Sequence, residues 1–269
     1  MKNLRNIVAL VLALTLLFAV SAAAEPFRVG MECNYAPFNW TQAEESETAV
    51  PIAAGGYADG YDVRIAQRIA DALGRELEVV KIEWDGLTMA LLSGKIDAII
   101  AGMSPTEERK MTIDFSDPYY ESDLVIVVRA DSQYASATSL ADFAGARITG
   151  QLNTFHYTVI DQIPDVQKQT AMDTFPTMVV ALTSGVIDGY ISERPGAVSA
   201  VASNPELTFV SFPEGEGFEA SPEDVAIAVG LVKESELLEP INAALAEISY
   251  EERQQIMDET VADQPLSEE

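Results

Sequence analysis

The sequence is poor in cysteine, histidine and basic residues, and each shortage excludes a class of protein. A single cysteine, Cys33, permits no internal disulfide and no cysteine-based zinc site, and a single histidine, His156, permits no paired-histidine metal site. The 269 residues include 16 Lys and Arg against 43 Asp and Glu, which gives a formal net charge of −27. So acidic a surface repels phosphate backbones and anionic headgroups, and we therefore expect no binding to nucleic acid or to membrane surfaces.

Long apolar runs are also lacking, apart from one at the start of the chain. Residues 7–20 are apolar except for Thr15, two basic residues precede them, and three alanines follow at 22–24. This run is shorter than the roughly 20 residues that span a membrane, and the order of segments is typical of an export signal. We expect residues 1–24 to be a cleaved signal peptide, and the protein to act in the periplasm or on the extracellular face.

The apolar residues, with Tyr and Cys included, make up 48% of the chain, enough for a packed core. Their spacing alternates between the period of a strand and that of a helix, and a β-α-β-α-β order predicts a parallel sheet covered by helices. Residues 41–58 are polar and Gly-rich and predict a surface insertion. The predicted strands cover 27–31, 77–82, 96–101, 124–129, 147–150, 166–169, 187–191, 207–211 and 225–231. The predicted helices cover 61–73, 85–92, 154–162, 176–183 and 195–202, with two more within 235–261.

An internal repeat indicates two similar lobes. Residues 84–102 align with residues 175–193 without a gap, at a constant offset of 91 positions, and each copy is a helix, a Ser-Gly stop and a strand. Chance recurrence of a common α/β unit is the alternative. In open α/β sheets, ligands bind beyond the carboxyl ends of the strands. If two lobes face each other, the two strand ends converge on one cleft.

Two charged residues near those ends are candidates for binding charged groups of a ligand. Arg109 follows Ser104 and the start of a short helix, and its planar guanidinium can hold a carboxylate by two hydrogen bonds. The alternative is a surface ion pair with Glu107 or Glu108. Glu193 ends the opposite strand and could hold an ammonium group; its alternative is a solvated loop acid.

Other candidates supply hydrogen bonds or apolar walls. A turn that contains Gln151 and leads into a helix at Thr154 offers backbone amides, and Tyr35 and Trp84 could wall a small pocket. We expect His156 to be a partly exposed residue of that helix. No phosphate loop, dinucleotide glycine pattern or Gly-x-Ser-x-Gly elbow is present in the sequence, so we expect no cofactor and no metal.

Several motifs occur in a fixed order, and together they resemble the family 3 extracellular solute-binding proteins, the polar amino-acid receptors of ABC importers. The likeness covers essentially all of residues 25–269. It implies a monomer with the type II periplasmic-binding-protein fold, in which two α/β lobes, each an open and mostly parallel sheet flanked by helices, close on one free amino acid. The motifs are Asn34-Tyr-Ala-Pro-Phe38, Gly60-Tyr-Asp-Val63, Gly94-Lys-Ile-Asp97, Ser104-x-Thr-x-x-Arg109 and Asp114-Phe-Ser-Asp-Pro-Tyr-Tyr120.

The resemblance also implies how the chain divides. Residues 25–122 and 213–269 would form the first lobe, and residues 123–212 the second. Two crossing strands near 120–124 and 209–214 would be the hinges, and an ABC transporter permease would receive the ligand.

Roles in binding follow from the resemblance, position by position. Arg109 would hold the α-carboxylate, helped by the amides of Thr154 and Phe155. The usual Gly-Thr of the family is Asn153-Thr154 here, and Asn can adopt the left-handed backbone that Gly provides. The α-ammonium would meet the Gly102 carbonyl, the Ser104 hydroxyl and Glu193, while Tyr35 and Trp84 would sandwich the side chain and Glu32 would meet its polar or cationic tip.

The sequence therefore predicts a receptor for a polar or cationic amino acid, with two alternatives. A dehydratase of the cyclohexadienyl or arogenate type has the same fold, with Glu193 as general acid, but a doubly anionic substrate needs a second cation beside Arg109. A ligand-sensing domain of a signalling receptor is disfavoured because no second hydrophobic span follows in the sequence.

Overall fold

The structure, a computed structural model, describes residues 25–213 and 215–265. The predicted signal peptide, residues 1–24, lies outside the described residues. Within them, no helix combines the length and apolarity needed to cross a membrane.

The described chain alternates between short strands and helices, much as the sequence predicts. The strands are β1 Phe27–Met31, β2 Asn34–Tyr35, β3 Asn39–Gln42, β4 Val50–Pro51, β5 Tyr57–Asp59, β6 Leu77–Lys81, β7 Ala98–Ile99, β8 Asp114–Glu121, β9 Leu124–Arg129, β10 Arg147–Thr149, β11 Gln167–Lys168, β12 Gly189–Glu193, β13 Leu207–Val210 and β14 Ala226–Leu231. The helices are α1 Tyr61–Leu73, α2 Leu87–Leu92, α3 Glu107–Lys110, α4 Phe155–Thr158, α5 Phe175–Thr183, α6 Arg194–Ser203, α7 Pro222–Val225, α8 Leu238–Ala246 and α9 Tyr250–Asp263. Four 3₁₀ turns complete the set: Trp84–Gly86, Gln133–Ser136, Leu140–Phe143 and Val159–Gln162.

Two five-stranded sheets have matching strand orders. The first is β6-β1-β7-β14-β8 and the second is β11-β10-β12-β9-β13. In each sheet the fourth strand runs antiparallel to both of its neighbours, and the other pairs are parallel. Four of the five strands in each sheet therefore run in the same direction, and only the fourth strand runs the opposite way. The fold is two α/β lobes with mostly parallel sheets, which confirms the predicted fold class.

The internal repeat is visible in the hydrogen bonds. Asp97 accepts bonds from the backbone N of Arg28 at 2.9 Å and from its Nη2 at 2.6 Å. Asp188, its counterpart in the repeat, accepts the same two bonds from Arg147 at 2.9 and 2.7 Å. In each lobe the aspartate thus fastens the start of one strand to the start of its neighbour.

Both repeat helices also end in the same way. Gly94 and Gly185 have φ angles of 72° and 76°, in the left-handed region that glycine enters without steric cost. Their backbone N atoms donate to Leu91 and Leu182 respectively, both at 3.0 Å. The Ser-Gly stop in the sequence is therefore a helix-terminating cap in each lobe.

Three local features differ from the sequence-based expectation. The strand predicted over 96–101 pairs only at β7, although its flanking residues are buried. Strand β8 was not predicted, because Pro118 and several polar residues are unusual in a strand. Because β8 lies at the edge of its sheet, it tolerates a proline. The surface insertion at 41–58 contributes strands to a small antiparallel sheet of order β2-β3-β5-β4.

The chain passes between the lobes twice. The first crossing joins β8 to β9 through Ser122 and Asp123, and the second runs from β13 to β14. They lie side by side, since the Ser122 backbone N donates to the Val225 carbonyl at 3.1 Å. The second strand of the expected hinge pair ends at Val210, so that crossing is not a continuous strand over 209–214; Glu214 itself lies outside the described residues.

We expect Asp188→Asn to destabilise the protein by about 1–2 kcal/mol, because it weakens charge-assisted bonds that join two strands. Asp131→Asn is the matched control, since Asp131 is 87% exposed and pairs with Arg129 at the surface; its effect should stay within about 0.5 kcal/mol. Urea unfolding monitored by circular dichroism measures both. Equal effects for the two variants would contradict this account of the repeat.

Candidate functional site

The carboxyl ends of the repeat strands meet at a cavity between the lobes. Its volume is about 20 Å³, room for one water molecule, so the lobes must separate before an amino acid can enter. Nine of the ten residues predicted for the site line this cavity, and Glu32 lies beside one of them. The lining residues are Tyr35, Trp84, Ala101, Gly102, Ser104, Arg109, Gln151, Thr154, Phe155, His156, Glu193 and Asp224.

Arg109 lies on α3, directly beside the cavity. Thr106 caps the helix, its side chain accepting a bond from the Arg109 backbone N at 3.4 Å. Glu107 pairs with Lys110 at 3.1 Å. Among the described residues, the hydrogen bonds of the Arg109 guanidinium go to backbone carbonyls and not to Glu107 or Glu108, the ion pair considered from the sequence.

The Arg109 guanidinium connects the two lobes. Its Nη1 donates to the Ser104 carbonyl at 2.9 Å, its Nη2 donates to the Asn153 carbonyl of the other lobe at 3.2 Å, and its centre lies 5.1 Å from the centroid of the Trp84 ring. Burial lowers the pKa of Arg109 to about 10, so the group stays charged at neutral pH. Asn153 has a φ of 56°, in the left-handed region that Asn can adopt.

Glu193 faces the same cavity from the end of β12. It is only 4% exposed, so the solvated loop acid considered from the sequence is wrong. Its Oε2 accepts a hydrogen bond from the Tyr35 hydroxyl of the other lobe, and its Oε1 lies 2.8 Å from the His156 Nε2 of its own lobe. Burial raises the pKa of Glu193 to about 8.

His156 is not the partly exposed helix residue that we expected from the sequence. It is 7% exposed, and burial together with the charge of Arg109 lowers its pKa to about 3, so the imidazole is neutral at physiological pH. The available signal was its position: Val159 and Ile160, three and four residues on, are apolar and buried, which places His156 on the inner face of a helical turn.

The aromatic residues meet other partners in this arrangement. Tyr35 stacks on Phe175 of the second lobe, with ring centroids 4.1 Å apart and planes 10° from parallel, while Trp84 lies under Arg109. Phe175 was not among the predicted site residues. Gly102 has a φ of 62°, and a Cβ there would lie 3.0 Å from the Tyr35 ring, so any larger residue would be strained and would have to displace the ring.

Glu32 and Gln151 face each other from opposite lobes. The Gln151 Nε2 donates to the Glu32 Oε2 at 3.2 Å and to the Asp173 carbonyl at 3.1 Å. The other oxygen, Oε1, is buried without a hydrogen-bond partner among the described residues. Burial raises the pKa of Glu32 to about 7. A buried acceptor without a donor is costly, and this one could receive a donor from a bound molecule.

A buried network beneath the cavity holds two of its backbone segments. Asp62, from the Gly-Tyr-Asp motif, accepts bonds from the Tyr119 hydroxyl and the Asn39 Nδ2, both at 2.7 Å. Tyr119 in turn accepts from the Gly102 backbone N at 3.3 Å, and the Asn39 Oδ1 accepts from the Cys33 backbone N at 2.7 Å. Both Gly102 and Cys33 have positive φ angles, and for Cys33 this left-handed conformation is one that a non-glycine residue rarely adopts without such support.

Two similar α/β lobes that face each other across a cleft, with a cation on one side and a buried carboxylate on the other, define a binding protein of the type II periplasmic class. The model of the bacterial extracellular solute-binding proteins, family 3, matches residues 27–261. The chain belongs to this family.

Individual relatives agree with that assignment. The chain is 32% identical over 224 residues to a probable histidine-binding protein of Campylobacter jejuni, covering 82% of this chain and 78% of the relative. A solved substrate-binding protein of an amino-acid ABC transporter from Streptococcus pneumoniae, bound to L-arginine, is 28% identical, with a TM-score of 0.77 and coverage of 88% and 94%. An ancestral arginine-binding protein bound to glutamine is 33% identical, with a TM-score of 0.71 and coverage of 87% and 96%.

The buried Glu32 carboxyl generates a pH prediction. Its pKa is raised from 4.5 to about 7 in the folded protein, so it takes up a proton more readily when folded. The stability that it contributes is present below its unfolded pKa and is lost as the pH rises to about 7. Between about pH 5 and pH 8 the parent should lose about 1–3 kcal/mol more stability than Glu32→Gln.

Urea unfolding at a series of pH values measures this difference. Glu45→Gln, which changes an exposed acid, is the control and should follow the parent curve. Parallel curves for the parent and Glu32→Gln would show that Glu32 is ionised normally.

Proposed function

We propose that this protein is an extracytoplasmic receptor that closes on one amino acid with a cationic or strongly polar side chain and delivers it to an ABC transporter permease. The observation that carries the proposal is the placement of a guanidinium and a buried carboxyl group on opposite lobes. Arg109 belongs to the first lobe and Glu193 to the second, and both line the cavity between them. An α-amino acid carries the two complementary charges at adjacent positions.

The α-carboxylate would bind to Arg109. Both of its terminal nitrogens donate to backbone carbonyls, and a carboxylate is a stronger acceptor with matching fork geometry. The backbone amides of Thr154 and Phe155 lie at the start of α4 and add donors on the opposite side. The α-ammonium would bind to Glu193, to the Gly102 carbonyl and to the Ser104 hydroxyl.

The far end of the ligand would meet Glu32 and Gln151. The Glu32 oxygen that lacks a partner among the described residues can accept a bond from a guanidinium, ammonium or amide group. An anionic tip would instead meet like charge in a partly dry pocket, where Coulomb repulsion exceeds its value in water. The histidine, arginine and glutamine named for the relatives above are all side chains with such donors.

Closure would follow from these contacts. A ligand that touches both lobes favours the closed arrangement over the open one by its additional contacts. We assign residues 25–122 and 213–269 to the first lobe and 123–212 to the second, with the hinge at Ser122 and Asp123. We also propose that the protein acts outside the cytoplasm and is a monomer.

Calorimetric titration with arginine, lysine, histidine, glutamine, leucine and glutamate tests the function and the ligand class, after unfolding and refolding to remove any co-purified ligand. We expect the cationic ligands or glutamine to bind best, and leucine and glutamate to bind at least about a hundredfold more weakly, as expected for an unpaired buried polar group or a like-charge contact. Glu32→Gln should reduce the difference in affinity between cationic and other amino acids. Tight binding of leucine or glutamate alone would overturn the assigned ligand class, and no binding of any amino acid would overturn the function.

Arg109→Ala should weaken binding of the best ligand at least about a hundredfold, because one partner of a buried charge pair is lost. Arg109→Lys should recover only part of the affinity, since an ammonium cannot form the two parallel bonds. Arg68→Ala removes an exposed arginine that pairs with Glu252 and serves as the matched control, with unchanged affinity. If a folded Arg109→Ala protein bound like the parent, the carboxylate site would have to lie elsewhere.

A further inference from the structure

The only histidine of the chain lies directly behind Glu193, and the proposed ligand contacts give it no role. Its Nε2 is 2.8 Å from the Glu193 Oε1, while its Nδ1 is buried and has no hydrogen-bond partner among the described residues. The ring packs edge-to-face on Phe175, with centroids 5.8 Å apart and planes at 82°. Phe175 is the residue on which Tyr35 stacks, so aromatic rings cover one side of the imidazole, while His156 still contributes to the lining of the cavity.

These contacts determine which ring nitrogen carries the proton. A buried N–H without an acceptor is expensive, and a proton on Nδ1 would create one. With the proton on Nε2, the imidazole of His156 donates to the Glu193 carboxylate and only a bare acceptor remains unpaired. The low pKa of the ring, which burial and the charge of Arg109 depress to about 3, agrees with a neutral imidazole that can donate one hydrogen bond.

The two partners of Glu193 differ in what happens when the lobes separate. Tyr35 belongs to the first lobe and must move away from Glu193 on opening. His156 lies on α4, in the same lobe as β12, which ends at Glu193. The contact to His156 therefore persists in both arrangements. A donor to the charged form favours the carboxylate over the neutral acid and opposes the effect of burial.

We propose that His156 is a positioning residue for ligand binding, whose Nε2–H directs the Glu193 carboxyl group into the cleft and favours its ionised form. The inference rests on the proposed role of Glu193 toward the α-ammonium. His156 acts on the ligand through Glu193. It holds the acceptor at a fixed position and favours its ionised form, so that the α-ammonium meets a carboxyl group that is already oriented.

Two substitutions separate the hydrogen bond from the packing. His156→Phe keeps a planar ring against Phe175 and removes the donor, and it should weaken arginine binding about 10- to 100-fold, as expected for a bond to a charged group. His156→Gln can place its amide N near the position of Nε2 and should stay within about threefold of the parent. Tyr157→Phe is the control on the same helix, because the Tyr157 hydroxyl bonds to the Gln169 carbonyl at 3.0 Å and not to the site; its affinity should be unchanged.

Nuclear magnetic resonance gives a readout that needs no ligand. Because the chain has one histidine, long-range ¹H–¹⁵N spectra contain a single imidazole, and its two nitrogens report the tautomer directly. We expect a protonated Nε2 and a bare Nδ1, with the Nε2 signals shifted in Glu193→Gln. If His156→Phe does not fold, the tautomer and His156→Gln decide the question.

Three results would overturn the proposal: a proton on Nδ1, His156→Phe binding arginine like the parent, or His156→Gln binding as weakly as His156→Phe. If the parent bound no amino acid of the panel, the proposed function and the positioning role that depends on it would both fail. The tautomer would then still establish whether the His156–Glu193 hydrogen bond exists, so a failed function and a failed contact are distinguishable.

Discussion

A carboxylate buried at the boundary between two lobes is the constraint on which the site depends. Burying Glu193 is costly unless hydrogen-bond donors surround it, and no single lobe supplies all of them. The second lobe contributes the His156 imidazole, and the first contributes the Tyr35 hydroxyl only when the lobes are together. In the proposed complex the α-ammonium is a further donor that reaches Glu193 from the cleft. Recognition and closure are then one event, because the group that recognises the ligand is also the group that is stabilised by closure.

The same principle recurs in the first lobe, with different consequences. Asp62 is buried completely, and its donors all come from its own lobe, so it is satisfied whether the cleft is open or closed. Through Tyr119 and Asn39, Asp62 supports the left-handed conformations of Gly102 and Cys33. Glu32 depends on the other lobe, since Gln151 donates to it across the cleft. Carboxylates satisfied within one lobe therefore build the scaffold, and those satisfied between lobes respond to closure.

The starts of the repeat strands hold each sheet together, whereas their carboxyl ends lie at the cavity. At the starts of the strands, Asp97 and Asp188 bind arginines of the neighbouring strand and fasten each sheet in the same way. At the carboxyl ends, the repeat copies diverge into Gly102 in one lobe and Glu193 in the other. The two copies of the repeat thus build the same helix and strand in each lobe, and the residues proposed to bind the ligand lie where the copies differ.

Local patterns in the sequence determined much of this molecule. Helix α1 and strand β1 have the predicted bounds, and the repeat indicated two equivalent lobes. An ordered motif pointed to Arg109, and the end of the second repeat copy pointed to Glu193. Such features depend on periodicity and on residues close together in the chain, which a sequence displays directly. Strand β8 was not predicted from the sequence, because it is a strand through its pairing with β14 rather than through its composition. The contacts that complete the site were decided by the tertiary structure alone: Tyr35 with Glu193 spans 158 positions and Glu32 with Gln151 spans 119. The burial of His156 was signalled by the apolar Val159 and Ile160, but its partners Phe175 and Glu193 lie far away in the sequence and meet it only in the folded lobe.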